Sequence, residues 1–166
     1  MALEPAALLK IALETLRGYP FGFLSTVGSE PERVDTRLVE HLAVDDDLAV
    51  WIGTSPRSRK VVQVAECPEV TYAVEDREGV GAVTVRARAR VVTDEDELTA
   101  RWLDDLAAFF PGGPRGGDFV LLALRPYRVE LMSFANGVHP EPYGLVPAVA
   151  ERDGDAWRVV PADRRG

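Results

Sequence analysis

The chain has 166 residues, 46% hydrophobic and 28% charged, a composition suited to a folded domain with a real core and not to a disordered chain. Its formal net charge of −8 argues against a general nucleic-acid binder, and no apolar run approaches the length needed to cross a bilayer. A lone cysteine, Cys67, excludes a disulfide framework, and two distant histidines, His41 and His139, do not make a zinc site.

Met1–Lys10 has neither the basic start nor the cleavage site of a signal peptide, so a cytoplasmic protein is expected. No internal repeat or linker divides the sequence, and one domain over residues 1–166 is expected. In chain order, Leu3–Leu16 reads as a helix, with Leu8, Leu9, Ala12, Leu13 and Leu16 on one face and Gly18 and Pro20 ending it. Phe21–Val27 is a nearly continuous apolar run, expected as a buried strand, and Gly28–Glu32 has the composition of a turn. Thr36–Val44 and Leu48–Gly53 are expected as strands joined at Asp45-Asp46-Asp47, read as a solvated hairpin turn. Ser55 is placed as the N-cap and Pro56 as the first residue of a short helix carrying Val61, Val64 and Ala65 and closed by Cys67-Pro68.

Val70–Val74 is a strand. Val83–Val92 alternates most cleanly, with Val83, Val85, Ala87, Ala89 and Val91 on one face and Thr84, Arg86, Arg88 and Arg90 on the other. Thr93–Asp96 has a capping-box-like pattern with acids at the positive pole of a helix. That helix is expected to run through Leu98, Trp102, Leu106 and Phe109 and to stop at Pro111-Gly112-Gly113. Phe119–Leu124 and Arg128–Phe134 are two further strands, and Ala148–Arg152 with Ala156–Val160 form a hairpin about Asp153-Gly154. Strands joined by short loops, without regular βαβ alternation, predict a mainly β antiparallel barrel or sheet with peripheral helices.

Thr54-Ser55-Pro56-Arg57-Ser58-Arg59-Lys60 carries the strongest chemical signal: a strand ends, hydroxyls gather, and a helix starts among cations. Free N–H groups and the helix dipole attract an anion to such a start. Arg57, Arg59 and Lys60 are unfavourable there unless a negative group lies between them, because the first turn favours Asp or Glu. A phosphate resolves the conflict, Arg59 giving a forked contact and Lys60 a point charge; the plain alternative is a capped helix with solvated arginines. Arg86, Arg88 and Arg90 read as a solvated or ion-paired sheet face, with a place at a subunit seam or beside a cofactor as the alternative. Cys67 reads as inert, and Trp51, Trp102 and Trp157 as core or interface residues. Gly112–Gly117 lacks the Gly-Lys-Ser/Thr of a nucleotide loop, and Gly79-Val80-Gly81 is too short for a dinucleotide fingerprint.

Ser58-Arg59-Lys60 on a short helix, its stop at Cys67-Pro68 and the strand that follows resemble a signature of the FMN-binding split-barrel family. That is the family of pyridoxamine 5′-phosphate oxidase and the general-stress flavoproteins. Upstream, Arg37-Leu38-Val39 resembles its Arg-x-Val strand; downstream, Ala87-Arg88-Ala89-Arg90-Val91-Val92 resembles its Gly-Arg-Ala-x-Val-Val stretch. Phe110-Pro111-Gly112-Gly113-Pro114 with Asp118-Phe119-Val120-Leu121-Leu122 is similar to the stress-protein branch. The resemblance covers residues 6–134 in order and implies a six-stranded antiparallel Greek-key split β-barrel, with residues 135–166 as an extension. It further implies a homodimer with FMN at the subunit interface. On matched positions, it implies that Arg37, Ser58, Arg59 and Lys60 hold the phosphate, while Leu38, Val39, Thr54 and Ser55 line the flavin.

The departures are specific. Leu42 stands where the oxidase has a lysine for its substrate's phosphate, and Ala82 where it has a glutamine near the flavin. The oxidase's Arg-x-His element is absent, leaving His139 as the one titratable nitrogen of Asn136–Pro147. Oxidation of vitamin B6 is therefore not expected. The resemblance implies a flavin-dependent oxidoreductase acting on a small-molecule redox substrate, with the deazaflavin F420 in place of FMN as a variant. A non-catalytic flavin or haem carrier is a second reading, with His139 as the candidate axial ligand, and an interaction module without a small ligand is a third. No side chain stands out as a catalytic acid or base.

Overall fold

A computed structural model describes residues 3–28, 30, 33–139 and 146–162. Helix α1 (Pro5–Gly18) has its proline in the first turn, where the missing N–H costs nothing, and buries Leu8, Ala12 and Leu16 completely along one stripe. There follow β1 (Phe21–Val27), β2 (Val34–Glu40), β3 (Ala43–Val44), β4 (Val50–Thr54), α2 (Arg59–Glu66), β5 (Glu69–Asp76) and β6 (Gly81–Val92). The rest comprises α3 (Glu95–Ala100), 3-10 turns at Asp104–Ala108 and Gly113–Arg115, β7 (Val120–Ser133), β8 (Ala148–Asp153) and β9 (Ala156–Val160). The turn expected at Gly28–Glu32 falls partly on Ser29, Pro31 and Glu32, and the Asn136–Pro147 segment partly on residues 140–145, all outside the described residues.

Every strand pairing is antiparallel, in the order β2-β1-β5-β6-β7-β4-β3, with β8 added to β7 and β9 to β8. The sheet curls until β2 approaches β4 without pairing to it, so the barrel stays split at that seam. The mainly antiparallel split barrel expected from the sequence is thus the observed fold, with β3, β8 and β9 added to its six strands. Its inner face is apolar because β6 alternates as expected: Val83, Val85 and Ala87 are fully buried, while Arg86, Arg88 and Arg90 point outward. Those arginines pair with Glu130, Glu69 and Glu97, which makes the stripe an ion-paired sheet face. Helix α1 packs across β3, β5, β6, β7, β8 and β9 and supplies part of the core. Among the described residues, no helix is long and apolar enough to cross a membrane.

Several elements differ from expectation. β1 is half-buried, not fully buried: Leu24 and Thr26 point inward, while Phe21 and Phe23 remain more than half exposed. Phe119–Leu124 and Arg128–Phe134 are two ends of one strand, β7, which pairs with β4 through Leu124 and with β8 from Arg128 onward. Pro126 sits at a bulge where that change of partner occurs, so its lack of a ladder donor is tolerated. The helix expected from Thr93 to Phe109 is broken after Ala100. Asp94 caps it, accepting from the N–H groups of Asp96 and Glu97. Trp102 and Phe110 then turn inward to meet the Phe119 ring at 5.1 and 5.0 Å, which a straight helix does not allow. The acidic triplet is also more than a solvated turn. Asp45 takes both Nη groups of Arg101, at 2.7 and 2.8 Å, and the Trp51 indole N–H at 2.8 Å, and Arg101 stacks on Trp51.

His41 is buried beneath α1, and its Nδ1 lies 2.7 Å from the Tyr72 hydroxyl. Burial pushes its imidazole below the ordinary histidine range, against a hydrogen bond to the Leu16 main chain. The unfolded chain therefore takes up this proton at a higher pH than the folded one, and stability is lost as pH falls below about 6.5. Denaturant midpoints are expected to decline over that window in the wild type and to be flatter in His41→Gln; an equal decline in both would assign the effect elsewhere.

Candidate functional site

Helix α2 starts one turn later than Ser55 and Pro56 suggested. Its N-cap is Ser58, and the Ser58 side chain makes no capping hydrogen bond. Ser55 and Pro56 form a preceding turn in which the Ser55 hydroxyl accepts from the Arg57 N–H at 3.2 Å and its carbonyl from the Ser58 N–H at 3.0 Å. The Thr54 hydroxyl donates to Ser58 Oγ at 3.3 Å, so the would-be cap is engaged sideways. The local reason is the order of residues: Pro56 fits the turn, and the apolar face of α2 begins only at Val61. The helix start is left without a side-chain cap and without an acidic residue in its first turn.

Arg37 reaches this region from β2. Its Nη1 donates to Thr26 Oγ1 at 2.6 Å and its Nη2 to Gln63 Oε1 at 3.1 Å. The Thr26 hydroxyl also donates to Gln63 Oε1 at 2.6 Å, and Gln63 Nε2 donates to Asp35 Oδ2 at 2.6 Å. Asp35 in turn faces Arg59 at 3.7 Å and Arg33 at 3.4 Å. The Gln63 hydrogen bond, aided by Arg59, Arg33 and Arg37, holds the Asp35 carboxyl below its ordinary range. Burial, and then the charge of Arg37, push the Lys60 ammonium below its ordinary range. Among the described residues, Lys60 has no carboxylate within 4 Å. The start of α2 is thus uncapped and cationic, and Arg37, whose charge disfavours that of Lys60, is itself held by neutral groups.

The structure brings Arg37, Thr54, Ser58, Arg59 and Lys60 to this corner and leaves Ser55 in the adjoining turn. Leu38 and Val39 diverge: Val39 is buried opposite Gly22, while the Leu38 side chain stands on the outer face opposite Phe23. Leu38 and Val39 can therefore present their shared main chain to the site, but not both side chains. The supporting residues Thr26, Asp35 and Gln63 were not expected. The available signals were a polar Gln63 on the apolar stripe of α2, between Val61 and Val64, and Thr26 on the buried face of β1. His139 is exposed and stacks on Phe134 at 4.9 Å, remote in sequence from these elements.

The fold and this corner together define a class: a split β-barrel whose short second helix opens on a cationic, uncapped start. The family model for pyridoxamine 5′-phosphate oxidase matches residues 9–133, and the chain belongs to that family. A Nostoc punctiforme pyridoxamine 5′-phosphate oxidase-related, FMN-binding protein is 19% identical and superposes with a TM-score of 0.71, over 96% of this chain and 98% of its own. PhzG from Burkholderia lata, solved with tetrahydrophenazine-1-carboxylic acid, is 21% identical, with a TM-score of 0.69 over 95% and 91%. A Clostridium acetobutylicum protein related to general stress protein 26 is 15% identical, with a TM-score of 0.68 over 77% and 89%. At these identities the likeness is one of fold. No curated protein matches the chain in sequence.

Proposed function

We propose that this chain binds FMN with its phosphate at the start of α2 and acts as a flavin-dependent oxidoreductase on a small-molecule substrate other than a B6 vitamer. The observation that carries this reading is the start of α2, with no side-chain cap and no acidic residue in its first turn, where the Lys60 charge is disfavoured by that of Arg37. A phosphate between them would offset both the burial of Lys60 and its repulsion by Arg37. Arg59 and the Ser58 hydroxyl would complete the cradle; Thr54, Ser55 and the Leu38-Val39 main chain would border the ring system. Support among similar proteins comes from the Nostoc protein described as FMN-binding. When bound, FMN supplies the electron and hydride transfer. The chain's own part is to fix the phosphate, orient the ring and keep water from one side.

The outer face of β1 and β2 bears on assembly. Phe21, Phe23, Val34 and Leu38 are each more than half exposed; Phe23 lies opposite Leu38, while Val34 lies opposite Val27 beyond the Ser25–Thr36 pair, so this face exposes apolar side chains along its length. A second copy of the chain would cover it, in keeping with the homodimer that the family resemblance implies. The test is direct. The purified protein is expected to show flavin absorption, to release a compound with the mass of FMN, and to sediment as a dimer. Rapid reduction by NADH or NADPH followed by reoxidation separates an enzyme from a carrier. A protein that stays colourless when given FMN sinks the proposal; a bound F420 or haem reassigns the cofactor.

A further inference from the structure

Beyond the carboxyl end of α2, a second cavity of about 560 Å3 is lined by Glu69, Arg88, Arg125, Pro126, Tyr127 and Arg152. Its volume lies within the usual range for small-molecule sites. The eight-residue α2 spans roughly 12 Å, so the cavity and the FMN corner are separated by at least that helix. The cavity exists because of the β7 bulge. Arg86 pairs with Arg128 and Ala87 with Pro126, which makes Tyr127 the extra residue. On the other side of β7, the β4 ladder ends at Leu124 and the β8 ladder starts at Arg128. Arg125-Pro126-Tyr127 therefore lies between two ladders and opens a recess in the outer face.

The charges in that recess are unbalanced. Arg88 and Arg125 stand directly opposite each other on neighbouring strands, a like-charge pairing that is unfavourable without an anion. Glu69 compensates one of them, accepting from Arg88 Nε at 2.9 Å and also from the Tyr127 hydroxyl at 2.8 Å. Arg125 has no carboxylate partner among the described residues, and neither has Arg152. Arg152 is nonetheless held in place: its Nε donates to the Pro126 carbonyl and its Nη2 to the Asp47 carbonyl, each at 3.0 Å. Its guanidinium also stacks over Trp157, 4.8 Å from the ring. Two of its N–H groups are used, leaving the others free to receive a ligand. Three guanidiniums thus face one carboxylate in a chain whose net charge is −8, which makes the recess a local exception to the protein's own field.

We propose that this cavity is a second ligand site, independent of FMN, that binds a small organic oxyanion through Arg125 and Arg152, with Pro126 and the Tyr127 ring as its apolar wall. Phosphate and carboxylate ligands share the required chemistry, and two probes tell them apart. Calorimetric titration with inorganic pyrophosphate and with citrate, at low ionic strength, is expected to give one site per chain for at least one probe. Pyrophosphate alone would mark a phosphate ligand and citrate alone a carboxylate ligand. The Lys60→Ala chain, with its α2 corner disabled, is expected to retain that binding. Arg125→Gln, at an exposed position that makes no side-chain hydrogen bond among the described residues, is expected to weaken it about tenfold or more without moving the thermal midpoint. Added salt weakens it as well. Absence of saturable binding by both probes overturns the proposal, and so does binding that survives Arg125→Gln or is lost in Lys60→Ala.

Discussion

Lys60→Ala is expected to weaken FMN binding by about tenfold or more while leaving the cofactor-free chain as stable as the wild type or more so. The two effects run in opposite directions for one reason. In the free chain the Lys60 charge is disfavoured by burial and by Arg37, so its pKa is depressed on folding and, at neutral pH, the protonated group detracts from stability. With a phosphate in place the same charge gains a partner. Lys60→Arg keeps the charge and is expected to retain most of the affinity, whereas Arg37→Ala lowers stability too, because Thr26 and Gln63 lose their donor. Quenching of flavin fluorescence gives the affinity, and thermal melts of the apo protein give the stability. Wild-type affinity in Lys60→Ala would remove the phosphate site from this corner.

Gly22→Ala is expected to destabilise the fold by about 3 kcal/mol, or to prevent folding outright. A methyl group at Gly22 would meet Cζ, Cε2 and Oη of Tyr72 at 2.5 to 2.6 Å. Tyr72 is fully buried, and its hydroxyl is tied to His41 at 2.7 Å, so the ring cannot swing aside without breaking that bond. The glycine is needed for this close approach of backbone to ring and not for any unusual backbone angle. Urea denaturation measures the loss. Tyr72→Phe in the same background does not recover it, since the offending ring carbons remain. A Gly22→Ala midpoint equal to that of the wild type would refute the packing argument.

Features set by residues close together in the chain were legible. The strict alternation of β6, the acid-led start of α3 and the Gly154 hairpin turn with φ +63 all follow from interactions within a few residues, and all are present, though the cap of α3 is Asp94 and not the Thr93 of a capping box. So was the order of short motifs that placed the chain in its family. The start of α2 was misplaced because Ser55-Pro56 satisfies the rules for a helix start and for a turn equally well; the packing of Val61 and Val64 selects between them.

What local pattern could not supply is who stands opposite whom. Pro126 looks like the end of a strand, and it becomes a bulge only because β4 and β8 take turns on the same side of β7. Asp45 looks like a solvated turn residue until Arg101, 56 positions away, is folded onto it. Thr26, Arg37 and Gln63 share one network although they come from two strands and a helix, and no periodicity links them. Backbone propensities act over a turn or a strand pair, whereas buried polar groups must find partners wherever the chain brings them. The barrel was therefore written in short-range alternation, whereas its charged and buried polar groups found their partners only on closure of the sheet.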